Sequence, residues 1–483
     1  MIVNGIQLLP AHSLGKKSVI REGFELINGQ YGRIITIIDD NEILLGLVTQ
    51  GMLRRAILAG FSLSDRLIEI MEKNPVLINS NHLLLNRDFS YLFSDLNKKG
   101  ITVGSLLSKI IRIPVVDDSQ KLLGLVTTEI LETVSTGKDV HPDPSKMNFP
   151  HVLVVGGAGY IGSILVEMML LRGWKTTILD NLIYNSNSLN NFMKNKDFTL
   201  IKSDVENISS LIDSVDDIDC VVYLAEIVGD PSCAYLPSKA LETNFLSVSL
   251  IATICSHLNI NRFIYASSCS VYGLNEQDNI LLNENSALNP VSHYARMKVL
   301  SEQILFNQLN PLFCPTILRL ATVFGHSFRP RFDLVVNTLA KNAYYNGSIQ
   351  INGGDQWRPY VHVKDVSRVI IRALESPMEK VKKEIINVGS NSNNYTLKQL
   401  SKLVKNVFPD CKIRINEVNT DKRSYKVDFN KVKDIFDYEP KISVNEGLNE
   451  LKNIFENGLI EDPNDKMYSN IDSLIYLNEN KKT

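Results

Sequence analysis

Short apolar runs alternate with segments of helical periodicity from His151 to about residue 455. Residues 152–155 are apolar at consecutive positions, as in a strand that is buried on both faces, and comparable runs follow at 176–179, 198–202, 220–224 and 261–266. Helical segments separate these runs, and the first of them spans 161–171. This alternation predicts an α/β fold with a doubly wound parallel sheet.

Glycines follow the first apolar run at once. Gly156 allows a tight turn, Gly159 lets the backbone approach a pyrophosphate, and Gly162 lets the next helix pack on the strand. That helix points its N-terminal N–H groups at the phosphates. Asp180 ends the second strand, where a carboxylate accepts hydrogen bonds from an adenosine ribose and repels a 2′-phosphate. The segment therefore predicts a Rossmann-type dinucleotide site for NAD rather than NADP.

A second motif follows the fifth strand. Ser268 lies in the loop after that strand, near the expected nicotinamide, because ligands bind at the carboxyl ends of such strands. Tyr294 and Lys298 are four residues apart and share one face of a helix. A phenol has a reference pKa of about 10, and a nearby ammonium together with the positive nicotinamide ring stabilises its anion. We expect Tyr294 to be a catalytic base that Lys298 and Ser268 support.

The first 135 residues contain an internal repeat. Residues 37–49 match residues 115–127 without a gap, at a constant offset of 78 positions. Each copy predicts a strand, an Asp-Asp turn, a second strand and then a helix, at 52–59 in the first copy and 129–134 in the second. A linker follows at 136–150, where the steps His141-Pro142 and Asp143-Pro144 and several small polar residues disfavour a continuous helix or strand.

Composition limits the remaining choices. A chain of 483 residues with 44% hydrophobic residues is long enough for about three domains. The net charge of −2 favours neither nucleic acid nor an anionic membrane as a partner, and no apolar run is long enough to span a bilayer. The six cysteines form no CxxC pair, so neither a disulfide framework nor a metal site is expected. We expect a cytoplasmic protein with a polar, flexible or loosely docked tail at 461–483.

Residues 151–460 resemble an extended short-chain dehydrogenase/reductase of the NAD-dependent sugar epimerase/dehydratase family. The glycine pattern, Asp180, Asp204-Val205, Asn244, Ser268 with Val271-Tyr272-Gly273, Tyr294 with Lys298, Arg319 with Phe324-Gly325, and the run from Arg358 to Asp365 carry the resemblance. It implies a smaller C-terminal subdomain, mainly from residue 320 on, that binds a nucleoside-diphosphate sugar. It also implies a homodimer through a helix bundle that includes the Tyr294 helix.

The resemblance assigns the binding residues as follows. The cofactor-binding residues are Gly156, Gly159, Tyr160, Ile161, Gly162, Asp180, Asn181, Asp204, Val205, Leu224, Ala225, Asn244, Tyr294 and Lys298. The substrate-binding residues are Ser268, Thr322, Arg358 and Arg423, of which the two arginines would contact the diphosphate, since a guanidinium forks well onto phosphate oxygens. His362 and Asp365 are expected to orient the domain junction.

The reaction is narrowed by the residues beside Ser268. Sugar 4,6-dehydratases of the family carry Asp-Glu where this chain has Cys269 and Ser270, which disfavours dehydration. The pattern resembles UDP-galactose 4-epimerase more closely, with Tyr294 as the base and hydride returned from NADH. Two departures from the family pattern are Thr322, where an asparagine is common, and Glu226, near the expected nicotinamide, as a candidate second acid or base. An NAD(P)H-dependent keto-sugar reductase and a non-catalytic dinucleotide sensor remain alternatives.

The N-terminal repeat resembles a tandem pair of CBS domains, an α+β module. The duplicated Leu-Gly-Leu-Val-Thr segment carries this resemblance. Such pairs often bind adenine nucleotides through an aspartate three residues after the Thr, where this chain has Met52 and Ile130. A structural or dimerising module is therefore expected ahead of a nucleotide-binding one.

Overall fold

The structure is a computed structural model. It describes residues 2–3, 6–8, 11–28, 34–83, 112–127 and 150–483, except for 259, 275–280, 311–312, 418–422 and 481–483 within the last range. The chain divides into two compact units, residues 1–150 and 151–483. In the described residues, no helix is long and apolar enough to cross a membrane.

The described part of the first unit consists of small sheets and short helices. Its strands are β1 (Ile2–Val3), β2 (Ile6–Gln7), β3 (Ser13–Gly15), β4 (Ile34–Ile38), β5 (Leu44–Thr49), β6 (Ile78–Asn79), β7 (Arg112–Val116) and β8 (Leu122–Thr127). Its helices are α1 (Ile20–Asn28), α2 (Gln50–Leu58) and α3 (Leu67–Ile70). The order β3-β4-β5 in one sheet matches the order β6-β7-β8 in another. The predicted helix at 129–134 lies outside the described residues.

The repeat is visible as two equivalent hairpins that meet at their turns. Strands β4 and β5 pair antiparallel with a bulge at Ile37/Ile38, and β7 and β8 repeat that pairing with a bulge at Val115/Val116, 78 residues on. Residues Ile43 and Lys121, equivalent in the two copies, form a bridge with each other. The two copies are thus related by an approximate twofold axis. The identification of this unit as a CBS pair remains a prediction.

The second unit contains the large sheet. Its strands are β9 (His151–Val155), β10 (Lys175–Asp180), β11 (Phe198–Lys202), β12 (Cys220–Tyr223), β13 (Arg262–Ser268), β14 (Leu281–Leu282), β15 (Cys314–Leu320), β16 (Thr322–Phe324), β17 (Ser348–Asn352), β18 (Trp357–His362), β19 (Glu384–Val388), β20 (Asn394–Thr396), β21 (Lys412–Asn416) and β22 (Lys426–Val427). Seven of them form one parallel sheet in the order β11-β10-β9-β12-β13-β15-β19. The predicted doubly wound parallel sheet is confirmed, with the order reversing beside β9, where such sheets bind ligands.

Helices cover both faces of this sheet. The helices of this unit are α4 (Tyr160–Leu170), α5 (Ile208–Ser214), α6 (Asp230–Tyr235), α7 (Pro237–Leu241), α8 (Ser247–His257), α9 (His293–Phe306), α10 (Val335–Tyr345), α11 (Val363–Glu375), α12 (Met378–Val381), α13 (Leu397–Val407), α14 (Asn430–Phe436), α15 (Val444–Glu456) and α16 (Asn470–Asn480). Alternate residues of β9 enter different cores: Val152 and Val154 pack on one face, and Leu153 and Val155 on the other. Burial on both faces explains why the strand is apolar at every position.

A third core lies beside the sheet and builds a smaller subdomain. It joins α10, α13 and α15 around Phe324, Tyr360 and Phe455. Two polar residues, His362 and Asp365, lie at its edge. His362 Nε2 is 2.8 Å from Glu450 Oε2 of α15, and Asp365 accepts hydrogen bonds from the Tyr438 hydroxyl and two backbone N–H groups. Both therefore tie the end of β18 and the start of α11 to the following chain.

The C-terminal segment differs from the flexible or loosely docked tail that its polar composition predicted. Residues 470–480 form α16, and Leu474 on this helix is only 3% exposed. It packs with Ile227, Cys233 and Met297 from three separate parts of the unit. The segment has few apolar residues, but Leu474 lies on the buried face of α16, and average composition does not reveal this placement.

Candidate functional site

The loop after β9 has no room for side chains at two of its glycines. Gly156 has a φ of +85°, and a Cβ there would lie 2.6 Å from the backbone nitrogen of Ala225. A Cβ on Gly162 would lie 2.5 Å from the carbonyl oxygen of Gly156. This packing brings the N-terminus of α4 to the edge of a cavity, where its N–H groups suit a pyrophosphate.

Asp180 ends β10 beside this loop. Its two carboxylate oxygens accept backbone N–H groups of Ala158 at 2.9 Å and Leu182 at 2.8 Å. Burial raises the pKa of Asp180, and these backbone hydrogen bonds oppose that shift. A carboxylate has about four acceptor sites, so capacity remains for ribose hydroxyls.

Two adjoining cavities follow the carboxyl edge of the sheet. The larger, of about 650 Å³, is lined by Gly156, Gly159, Tyr160, Ile161, Gly162, Leu224, Ser268, Tyr294, Lys298, Thr322, Arg358 and Arg423 among others. The smaller, of about 320 Å³, is lined by Asp180, Asn181, Val205, Leu224 and Ala225 among others. The structure thus brings the predicted substrate residues to the larger cavity and the predicted adenosine residues to the smaller one.

Two predicted cofactor residues do not line either cavity. Asn244 is 1% exposed, and its amide accepts from the backbone N–H of Ile227 at 2.8 Å and donates to the Ile227 carbonyl at 2.9 Å. It holds the loop after β12 and lines neither cavity. Asp204 receives hydrogen bonds from Asn181 at 3.2 Å and Lys239 at 3.3 Å at the rim. The family pattern predicted that these two residues lie near the cofactor, but the direction in which a side chain points depends on tertiary packing.

The predicted catalytic residues converge on the larger cavity. Helix α9 begins after Ser292, whose side chain accepts the N–H of Ala295 and caps the helix. Lys298 Nζ lies 5.5 Å from the centre of the Tyr294 ring and also donates to the carbonyl of Ala266. Ser268 lines the same cavity at the end of β13. The arrangement suits proton transfer at one substrate oxygen.

Glu226 lies between the two cavities and lines both of them. Its side chain is 3% exposed, with Oε2 at 2.5 Å from Lys298 Nζ and Oε1 at 2.8 Å from the Tyr265 hydroxyl, which donates. Burial raises the pKa of Glu226 and lowers that of Lys298, and each partner opposes the shift of the other. The sequence marked Glu226 only as a candidate acid or base, and its pairing with Lys298 is visible only in three dimensions.

A buried ion pair supports the floor of the site. Arg319 on β15 reaches Glu302 of α9 through Nε at 3.0 Å and Nη2 at 2.7 Å. Glu302 also accepts the hydroxyl of Ser267 at 2.5 Å. This network fixes α9 against the end of β13, and therefore Tyr294 against Ser268.

The two predicted diphosphate arginines lie together. Arg358 Nη1 donates to the carbonyl of Arg423, and its guanidinium stacks 5.1 Å above the Tyr425 ring. Arg423 Nη1 is 2.6 Å from Asp230 Oδ2. Both guanidinium groups line the larger cavity.

Sequence reasoning missed two further arginines. Arg331 forms a bidentate pair with Asp333, at 2.9 and 2.7 Å, whereas Arg329 lies 4.0 Å over the ring of Tyr184. Arg329 is 4% exposed, and burial next to the Arg331 charge lowers its pKa to about 10. The sequence carried a signal for these arginines, because the segment Arg329-Pro-Arg-Phe-Asp333 places two of them within a few residues of the Phe324-Gly325 motif.

The C-terminal helix was also missed as part of the site. Asn470 and Ile471 line the larger cavity, and Leu474, Leu477 and Asn478 line the smaller one. Asn470 belongs to no sequence motif that we identified, and the docking of α16 brings it to the larger cavity.

Four residues that line the larger cavity each have a buried polar atom without a hydrogen-bond partner among the described residues. The atoms are Asp230 Oδ1, Ser270 Oγ, Arg329 Nε and Asn470 Oδ1. Such atoms are uncommon, because buried polar groups are nearly always paired.

Comparison with known proteins agrees with this geometry. Residues 152–389 match the model of the NAD dependent epimerase/dehydratase family. A putative UDP-glucose 4-epimerase of Methanocaldococcus jannaschii is 26% identical over 318 residues, which cover 63% of this chain and 98% of the relative. UDP-glucuronic acid decarboxylase 1 of Xenopus tropicalis is 24% identical over 333 residues, with 67% and 76% covered.

A solved structure of a related enzyme has a similar fold. The UDP-glucose 4-epimerase of Thermotoga maritima, with UDP-glucose, is similar with a TM-score of 0.58 at 25% identity, and the match covers 64% of this chain and 99% of that one. The comparisons confirm the Rossmann-like sheet and NAD as the cofactor.

Proposed function

Because residues 152–389 match the NAD-dependent epimerase/dehydratase family, we propose that this protein is an NAD-dependent epimerase of a nucleoside-diphosphate sugar. The observation that carries the proposal is the larger cavity. It is lined by Tyr294, Lys298 and Ser268 and also by Arg358 and Arg423, together with polar residues such as Thr322 and Asn470. A proton-transfer group, a pair of phosphate-binding cations and spare hydroxyl partners are what such a substrate requires.

In the proposed reaction, Tyr294 removes the proton of a sugar hydroxyl and Ser268 holds the same oxygen. Bound NAD supplies the hydride acceptor and later returns the hydride. The resulting keto-sugar turns within the cavity, and Tyr294 gives the proton back after hydride reaches the other face. Arg358 and Arg423 hold the diphosphate throughout, so the sugar can turn without leaving.

The residues beside Ser268 support this reaction over dehydration. Cys269 is 1% exposed, and its thiol donates to the carbonyl of Arg319 at 3.3 Å. Burial raises the pKa of Cys269, so this thiol is a poor proton donor to a leaving hydroxyl. Ser270 lines the cavity but carries no carboxylate that could abstract a carbon-bound proton.

The C-terminal helix supports an epimerase over a reductase. A reductase must release its oxidised cofactor in each cycle, whereas an epimerase recycles the same molecule. Leu474 and Leu477 line the smaller cavity beside the predicted adenosine residues, where they would slow release.

The proposal is tested without added cofactor. Purified protein is denatured and the released dinucleotide is identified; fresh protein is then incubated with UDP-, GDP-, CDP- and dTDP-sugars, and the products are followed by NMR. Bound NAD and a sugar converted to its epimer are expected. Turnover only of a keto-sugar with added NADH or NADPH would identify a reductase and overturn the proposal, and bound NAD with no turnover of any sugar would favour a sensor.

A further inference from the structure

A buried carboxylate contacts the lysine that the proposed reaction needs as a cation. Glu226 Oε2 is 2.5 Å from Lys298 Nζ, and both side chains are about 4% exposed or less. The pair is electrically neutral whichever partner carries the shared proton. Lys298 therefore contributes no net charge to stabilise a Tyr294 phenolate.

The distances show how strongly Glu226 acts on the phenol. Lys298 Nζ lies 5.5 Å from the Tyr294 ring centre, and Glu226 lies 2.5 Å from that nitrogen, so the carboxylate is within about 8 Å of the ring. Burial raises the pKa of Tyr294, and the charge of Glu226 raises it further. Cys233 and Asp230 raise the pKa of Tyr294 as well, whereas Arg331 lowers it.

We propose that Glu226 is a positioning residue that neutralises Lys298 and keeps Tyr294 protonated until a positive nicotinamide ring lies in the site. This inference rests on the proposed function. The oxidised ring supplies the positive charge that the neutral pair withholds, so Tyr294 becomes a base for the oxidation half of the cycle. Once the ring is reduced and neutral, the phenol again holds its proton, which it has just taken from the sugar and can return to the keto-sugar oxygen.

The anchoring of Glu226 agrees with such a role. The Tyr265 hydroxyl donates to Oε1 at 2.8 Å, and the Tyr265 ring lies 4.7 Å from Lys298 Nζ. Both carboxylate oxygens of Glu226 thus have a partner. A buried carboxylate requires such pairing, and here the paired cation is the lysine beside Tyr294.

The first test measures phenol ionisation directly and needs no substrate. Cofactor-free protein is titrated by ultraviolet absorption near 295 nm, and the Tyr294 signal is the difference between each protein and its Tyr294→Phe version. Loss of a charge about 8 Å away, at an effective dielectric constant of about 20, favours the phenolate roughly 30-fold. Glu226→Gln should therefore ionise at lower pH than the parent protein, and Glu226→Asp, which keeps the charge, should resemble the parent.

Glu384→Gln is the matched control, because Glu384 pairs with Lys431 at 2.7 Å on the surface, away from the cavities. It should leave the Tyr294 titration unchanged. An unchanged or higher ionisation pH in Glu226→Gln overturns the inference. Thermal unfolding of each variant shows whether it is folded.

The parent protein gives a second test that does not depend on the folding of any variant. NAD⁺ should lower the pH at which Tyr294 ionises, and NADH should not. A Tyr294 that is already ionised at neutral pH without cofactor overturns the inference. If the titrations behave as expected but no sugar is turned over, the proposed function fails and the electrostatic role of Glu226 stands.

Discussion

Leu474→Ala tests whether the C-terminal helix holds the cofactor in place. Leu474 is 3% exposed, packs with Ile227, Cys233 and Met297, and lines the smaller cavity. Truncation of a buried leucine costs about 3 kcal/mol, from lost transfer energy and the remaining cavity. Since α16 is the last helix described, we expect this cost to loosen the segment while the seven-stranded sheet stays folded.

The expected change in NAD affinity follows from this free-energy cost. If NAD binds only when the segment is docked, a penalty of about 3 kcal/mol weakens binding by up to about a hundred-fold. Isothermal titration of cofactor-free protein measures the affinity, and limited proteolysis reports whether the segment has loosened. Leu309→Ala is the control, because Leu309 is 97% exposed and lies in neither cavity. Unchanged NAD affinity in a Leu474→Ala protein whose segment is readily cleaved would refute the reasoning.

Four more predictions concern the chemistry, the substrate, pH and assembly. Tyr294→Phe should lower kcat by at least about a hundred-fold with NAD still bound; an undiminished rate contradicts its role as base. Arg358→Met should raise KM for the nucleotide sugar about tenfold or more without changing NAD affinity, as measured by kinetics and titration. Burial alone would raise the pKa of Glu450, but its bonds to His362 and Lys364 lower it to about 2. The stability it contributes, about 3 kcal/mol, is therefore present above pH 4.5 and lost as pH falls from 4.5 towards 2, and Glu450→Gln should flatten that part of the unfolding curve. The predicted homodimer is checked by sedimentation velocity, where Leu300→Glu on the exposed side of α9 should yield monomers and an unchanged mass contradicts this interface.

Most of the large sheet was predictable because its signals are local. A strand must be apolar at every position when both of its faces are covered, as in β9. Gly162 has a local reason as well, because a Cβ there would lie 2.5 Å from the carbonyl oxygen of Gly156 in the preceding turn. The spacing of Tyr294 and Lys298 likewise depends only on the helix period. The start of α13 also has a local cause, because the Thr396 side chain caps the helix and Gln399 completes a capping box.

Contacts between distant segments were not predictable in the same way. Asn244 was assigned to the cofactor, but its side-chain amide forms hydrogen bonds with the backbone N–H and carbonyl of Ile227. Buried backbone groups require such partners, and the sequence does not show which side chain supplies them. Glu226 was a conspicuous residue in the sequence, yet its partner is 72 positions away. The docking of α16 depends on one face of a helix whose average composition is polar.

The sequence by itself determined the parallel sheet, the glycine turn after β9 and the spacing of Tyr294 and Lys298 on one helix, because apolar runs, glycines and the helix period are local signals. The tertiary structure alone decided that Glu226 pairs with Lys298, that Arg329 lies buried over Tyr184, and that the C-terminal helix lines the smaller cavity. The physical reason is that charge pairing and burial depend on distance in space, and segments far apart in the chain carry no record of that distance in their own composition.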